Sequence, residues 1–338
     1  MVYVVIVFLW TAILLYILLG GADFGAGIME LFTSKKNRHR TRRNMYEAIG
    51  PVWEANHMWL IIVIVILFVG FPKIYTTVSV YLHIPLVCML LGIIARGTAF
   101  VFRNYDAVKD GMQKVYTPIF VISSVVTPFF LGIIAASSVS GQIDLQAADF
   151  VSAYIFSWLN WFSLSVGLFT VTICAYLATI FIIGETTHPD DRALFIRKAR
   201  RVIFVVMGAG ALVFMAAYAE NIPLLDWIFS DYPGVIALIL ATISLILTFI
   251  ELNKGHAIIL RFFAGFQVSM ILFAATYSHF PDIVLLKGGE NLSLLTHQGQ
   301  NKTIAGLGWA LLIGSVFILP ALFYLIYSFR TKKSEQHD

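Results

Sequence analysis

Three short segments of this chain set ionisable side chains inside otherwise apolar sequence, where they are costly unless they do something. The first is Gly20-Gly21-Ala22-Asp23-Phe24-Gly25-Ala26-Gly27. Its small residues Gly21 and Gly25, and Ala22 and Ala26, recur four apart and let another helix backbone come close to the Asp23 carboxylate. The second is Gly50-Pro51-Val52-Trp53-Glu54-Ala55-Asn56-His57-Met58-Trp59-Leu60. Pro51 suits a first helical turn, and Trp53, Glu54 and His57 fall on neighbouring positions of one helix surface. The third, Ile94-Ala95-Arg96-Gly97-Thr98 running on to Phe102-Arg103, carries a guanidinium too deep to belong to a loop. Asp23 and Glu54, at similar depth on adjacent helices, could take protons from one side and exchange them with internal water. Each group also has a plainer reading. Asp23 could be an interfacial carboxylate capped by water or basic residues, His57 a packed hydrogen-bonded ring, and Arg96 a snorkelling side chain.

The elements that hold these groups follow from composition. Of 338 residues, 59% are hydrophobic and 12% charged, with a mean hydropathy of +0.85; soluble domains carry about 25% charge. This excludes a soluble enzyme, a disordered chain, a nucleic-acid reader and a disulfide scaffold. The pI of 9.0 rests on a surplus of four charges, and these lie in loops, a pattern of membrane orientation and not of phosphate binding. Cys88 and Cys174 lie within apolar runs and read as small buried hydrophobes. No histidines pair at facing positions, so no metal ligand is expected from this chain. Arg96 could pair with Glu54, or with an anionic group such as a haem propionate brought by a partner.

A bilayer core about 30 Å thick needs roughly 20 apolar residues per helix. Nine runs qualify: Val2–Phe32, Ala48–Phe71, Thr77–Phe102, Tyr116–Ala136, Ser157–Ile183, Arg201–Ala219, Gly234–Leu252, Ala257–Phe280 and Gly306–Phe329. The first lacks a basic leader and a clear cleavage site and reads as a retained helix. Loops after the odd-numbered runs hold 18 Lys and Arg residues, and the opposite loops hold 3. That asymmetry places the N-terminus outside and the C-terminus in the cytoplasm. The expected fold is an all-α integral membrane protein of about nine transmembrane helices. Two four-helix bundles and one peripheral helix fit the loop lengths, residues 1–136 forming the first bundle and 157–329 the second bundle with the extra helix.

Gly21-Ala22-Asp23-Phe24-Gly25-Ala26-Gly27, Gly50-Pro51-Val52-Trp53-Glu54-Ala55-Asn56 with Trp59-Leu60, and Arg96-Gly97 leading to Phe102-Arg103 together resemble subunit II of the cytochrome bd quinol oxidase family, cyanide-insensitive members included. The central block is the specific one. The resemblance is clear over the first third of the chain and one of hydropathy beyond it. It implies a supporting role beside a haem-bearing subunit I, which carries haem b and haem d, or a substituted haem, and oxidises quinol. This chain would ligate no haem. A small single-helix subunit and lipids are further expected partners, nucleic acid is not, and the bacterial cytoplasmic membrane is the expected location. By position, Asp23 and Glu54 inherit the proton-route acids, and Trp53 and Arg96 lie near the haem or the subunit interface. The sequence departs from the family where Gly20 and Gly21 stand near a frequent acid, and where Glu54 replaces a frequent Asp. Two rival readings remain: an ion-coupled secondary transporter, since glycine-broken helices and buried acids also build ion sites, and a purely structural assembly subunit.

Overall fold

In lipid a backbone must satisfy its own hydrogen bonds, which helices do internally. The structure, a computed structural model, describes the chain except residues 34–39, 47–49, 51–52, 106–111, 187 and 336–338, and the side chains of 104, 105, 323 and 325–335. Among the described residues, nine helices are long and apolar enough to cross a membrane. They are α1 (Val2–Leu31), α2 (Trp53–Gly70), α3 (His83–Arg103), α4 (Gln113–Val139), α5 (Trp161–Ile183), α6 (Pro189–Ala219), α7 (Tyr232–Lys254), α8 (Ala257–His279) and α9 (Asn301–Leu322). The chain is a multi-pass membrane protein.

Two boundaries differ from the sequence expectation. The third run does not start at Thr77. A separate helix over Pro72–Tyr81 ends at Leu82, and α3 begins at His83 with Pro85 in its first turn, where proline's missing N–H costs nothing. The sixth helix starts not at Arg201 but at Pro189, with Asp190 and Asp191 in its first turn. Those acids favour a helix N-terminus, so the basic stretch up to Arg201 continues the helix and is not a loop. Pro51, expected in the first turn of α2, lies outside the described residues.

The most enclosed helix is α5. Its N-terminus is capped three ways: the Asn160 side chain accepts from the Ser163 amide at 2.8 Å, and the Glu220 carboxylate accepts from the amides of Trp161 at 2.7 Å and Phe162 at 3.0 Å. Around α5 pack α4, α6, α8 and the second half of α1. Cys174 is buried there, whereas Cys88 is only half-buried. After α8, residues 281–300 include a two-stranded hairpin, Asp282–Val284 with Leu292–Ser293, and fold over the N-terminal end of α1 and the C-terminal end of α2. The Gly299 amide donates to the Gly70 carbonyl at 2.7 Å. This return brings α9 against α1 and α2.

The small residues around Asp23 do what their spacing suggests. A Cβ on Gly25 would stand 1.9 Å from the Cys174 carbonyl oxygen of α5, and one on Gly27 would stand 2.1 Å from the Ser124 hydroxyl of α4. The first clash is with backbone, which cannot rotate away. Gly25→Ala is therefore expected to cost at least about 1–3 kcal/mol, the range for overpacked cores, and to lower the yield of folded protein. Gly210→Ala, where a Cβ would make ordinary contact with Phe169 at 3.4 Å, should leave that yield intact. Thermal unfolding of both variants in detergent checks the contrast.

Candidate functional site

The site is assembled where the second half of α1 meets α3 and α4. Just before it, Tyr16–Gly20 form one π-helical turn, an insertion that shifts which residues face inward and that is common at functional positions. From Gly21 onward nearly every residue of α1 is buried, Asp23 among them at 1% exposure.

Asp23 does not face water. The Arg96 guanidinium of α3, also 1% exposed, donates Nη1–H to Asp23 Oδ2 at 2.7 Å and Nη2–H to Oδ1 at 2.8 Å. Nη2 also donates to the Asp23 carbonyl at 2.9 Å, and Nε donates to the Ser124 hydroxyl of α4 at 3.1 Å. The Phe24 and Phe120 rings lie 5.0 Å from the guanidinium carbon, a cation–π arrangement that further favours the buried charge. Every nitrogen of Arg96 is thus engaged, and Nη1 and Nη2 make the two-pronged, charge-assisted contact that is the strongest form of arginine–carboxylate pairing. The carboxylate partner of Arg96 is Asp23, not Glu54.

A second pair lies two helical turns on. Glu30 of α1, seven residues after Asp23, is 3% exposed. It accepts from Arg103 Nη1 at 2.9 Å, from Arg42 Nε at 2.9 Å and from Arg42 Nη2 at 2.6 Å. Arg103 is seven residues after Arg96, so α1 and α3 run in parallel register, carboxylate to guanidinium at both levels. The Phe120 ring lies between the levels, 4.1 Å from the Arg103 guanidinium carbon. A narrow cavity bounded by Asp23, Ala26, Glu30, Arg96, Arg103 and Phe120 separates the two pairs. The sequence reading passed over Glu30 because it sits at the edge of the apolar run beside a basic loop. The seven-residue interval shared by Asp23–Glu30 and Arg96–Arg103 is the signal that could have found it.

The second expected acid is placed differently. Glu54 lies in the first turn of α2 and is exposed. It heads a stripe of exposed apolar residues, Met58, Ile61, Val65 and Phe68, at helical spacing. Trp53 is half-buried, its ring centroid 4.9 Å from Phe100 of α3 and 6.3 Å from His57. His57, three residues after Glu54, has its Nε2 3.8 Å from Asp23 Oδ2, and its ring contacts Phe24 and Tyr16. The structure therefore brings Asp23, Arg96, His57 and Trp53 together and sets Glu54 on the outer surface of the same helix turn.

A profile of cytochrome bd terminal oxidase subunit II matches residues 1–329. The chain belongs to that family. Cytochrome bd ubiquinol oxidase subunit 2 of Bacillus subtilis (strain 168) is 30% identical over 205 residues, which cover 60% of this chain and 57% of that protein. Cytochrome bd-I ubiquinol oxidase subunit 2 of Escherichia coli (strain K12) is 24% identical over 177 residues, 50% of this chain and 46% of that one. The chain thus spans about half the length of these two curated relatives, at 57% and 46%. A putative cytochrome bd menaquinol oxidase subunit II of Bacillus subtilis (strain 168) aligns over 96% of this chain and 94% of its own length at 20% identity. The bd oxidase structure from Geobacillus thermodenitrificans shares the fold, with a TM-score of 0.76, 19% identity and coverage of 97% and 98% of the two chains. None of these comparisons supports the transporter reading. In this member of the subunit II family the Gly-rich and Arg-Gly segments meet in one buried ion pair, with His57 of the Trp-acid segment beside it and Glu54 exposed outside it.

Proposed function

We propose that this chain is subunit II of a cytochrome bd-type quinol:oxygen oxidoreductase. It packs against a haem-bearing subunit I and contributes to proton delivery from the cytoplasm for the reduction of O2 to water. Haem b and haem d, or a substituted haem, would reside in subunit I together with the quinol-oxidising segment. They would supply the electron transfer and oxygen chemistry, while this chain positions charge and moves protons. A small single-helix subunit and bound lipids complete the proposed assembly in the bacterial cytoplasmic membrane, N-terminus outside and C-terminus inside.

The observation that carries this reading is the buried Asp23–Arg96 pair, made from the family's own segments inside the membrane. Ion pairs of that kind carry a large desolvation cost, and replacing them by apolar residues often stabilises a protein. A packing role alone would not call for charges here. Glu54 supports the partner: an acid at the head of an apolar stripe is unsuited to lipid and suits a face covered by a second subunit. Arg96 does not suit a propionate of the partner's haem, because its Nε, Nη1 and Nη2 already donate within this chain. Trp53 and Glu54 are the residues left nearest such a face. In this reading Asp23 and Glu54 are the proton-route acids, and His57 lies beside Asp23.

The test is purification. This chain should co-purify with a larger haem-containing chain, and the complex should take up oxygen when given quinol. The chain purified alone should carry no stoichiometric haem. A haem spectrum from the isolated chain that vanishes in His57→Ala would overturn the assignment.

A further inference from the structure

Glu30 has no part in the proposal above, yet it is a second buried carboxylate on the same face of α1, one step nearer the basic loop. Three observations set it apart from a packing residue. It is enclosed at 3% exposure between two arginines of unequal burial: the Arg103 side chain is 4% exposed and that of Arg42 is 28% exposed. The narrow cavity lined by Asp23 is lined also by Glu30 and Arg42. Arg103 Nε, buried on that cavity, has no hydrogen-bond partner among the described residues. Buried polar atoms of this kind normally have a partner, frequently an ordered water.

Arg42 is also the one member of the cluster that does not belong to a membrane-spanning helix. It lies in the short helical segment 40–46, which is fixed from outside the cluster. Arg40 pairs with Asp191 of α6 at 2.7 Å, and Lys198 of α6 donates to Thr33 at 2.6 Å and to Thr41 at 3.3 Å. The segment can therefore keep its place while the Arg42 side chain leaves Glu30, and Arg103 remains to hold the carboxylate.

We infer that Glu30 is the acid through which the Asp23 chamber exchanges protons with the surface, and that Arg42 closes its mouth. The inference rests on the proton-delivery reading and adds an entrance to it. With Arg42 docked, its guanidinium and that of Arg103 both donate to Glu30 and occupy its oxygens. With Arg42 swung out, one cation remains, and the carboxylate takes a proton from water at the surface and passes it to water in the cavity beneath Arg103. No electron moves in either step, and Glu30 returns to its starting form.

Glu30→Gln keeps an oxygen that can accept from both arginines and removes the exchangeable proton. Quinol-driven oxygen uptake per assembled haem should fall at least roughly tenfold. Any carboxyl signal from Glu30 in reduced-minus-oxidised infrared difference spectra should vanish, a change that a structural role does not predict. Arg42→Ala leaves the Glu30–Arg103 pair standing and provides an arm that does not depend on turnover. With a cysteine placed by Ala26→Cys on the cavity wall, a small cationic thiol reagent should label that position several-fold faster when Arg42 is Ala. Unchanged labelling, or full turnover per haem in Glu30→Gln, would overturn the inference. If Asp23→Asn impairs turnover while Glu30→Gln does not, only the entrance is wrong; if neither does, the proton-delivery reading falls with it.

Discussion

Arg96→Ala is expected to destabilise the protein by about 3–5 kcal/mol, the cost of leaving a buried charge without its partner. The magnitude follows from geometry. Asp23 is 1% exposed, and its carboxylate accepts two of the four hydrogen bonds that Arg96 donates. Removing the guanidinium leaves the buried Asp23 carboxyl without its two side-chain donors. Asp23→Ala should do similar damage from the other side, by stranding the cation. The double variant should be less harmful than the sum, since removing both partners strands neither charge. Thermal unfolding of the four proteins of this cycle in detergent measures the coupling. Additive losses would mean that the two side chains are not paired in the membrane.

The second large effect concerns turnover. Asp23→Asn and Glu54→Gln each replace a carboxyl by an amide of nearly equal size. Each is expected to lower quinol-dependent oxygen uptake per assembled haem by at least roughly tenfold, about 1.4 kcal/mol in barrier if proton delivery becomes limiting. Glu54→Asp keeps an acid at slightly shorter reach and should do much less harm. The combined variant should be less than additive if both acids serve one route. Because Asp23→Asn also weakens the Arg96 contact, less complex should assemble. Normalising to haem separates that loss from slowed chemistry.

The helices were legible because an apolar run of roughly 20 residues in a bilayer leaves the backbone no other choice. Asp23 and Arg96 stood out for the same reason: ionisable groups inside such runs are rare and costly. Their pairing was not legible. It depends on the parallel register of α1 and α3, and nothing local to either segment distinguishes Asp23 from Glu54 as the partner of Arg96. Glu30 escaped notice because hydropathy assigns an acid at the end of a span to the interface, although Arg42 and Arg103 draw it inside. The start of α3 was misplaced because Thr77 extends an apolar run across the break at Leu82, while Pro85 marked the true first turn. The N-terminal extension of α6 is not legible as helix from hydropathy because a basic stretch resembles a loop, even though Pro189 with Asp190 and Asp191 is a helix start. The path of residues 281–300 back to α1 and α2, which carries α9 with it, is a matter of tertiary packing that no local pattern encodes.

In the proposed function this chain supplies a carboxyl for proton delivery to a haem-bearing partner. Its most direct test is oxygen uptake per haem in the purified two-subunit complex, comparing the native chain with Asp23→Asn at saturating quinol. Haem spectra of unchanged shape and a turnover per haem at least roughly tenfold lower are expected. Full turnover per haem in Asp23→Asn would contradict it, and would leave the Asp23–Arg96 pair as a device of assembly alone.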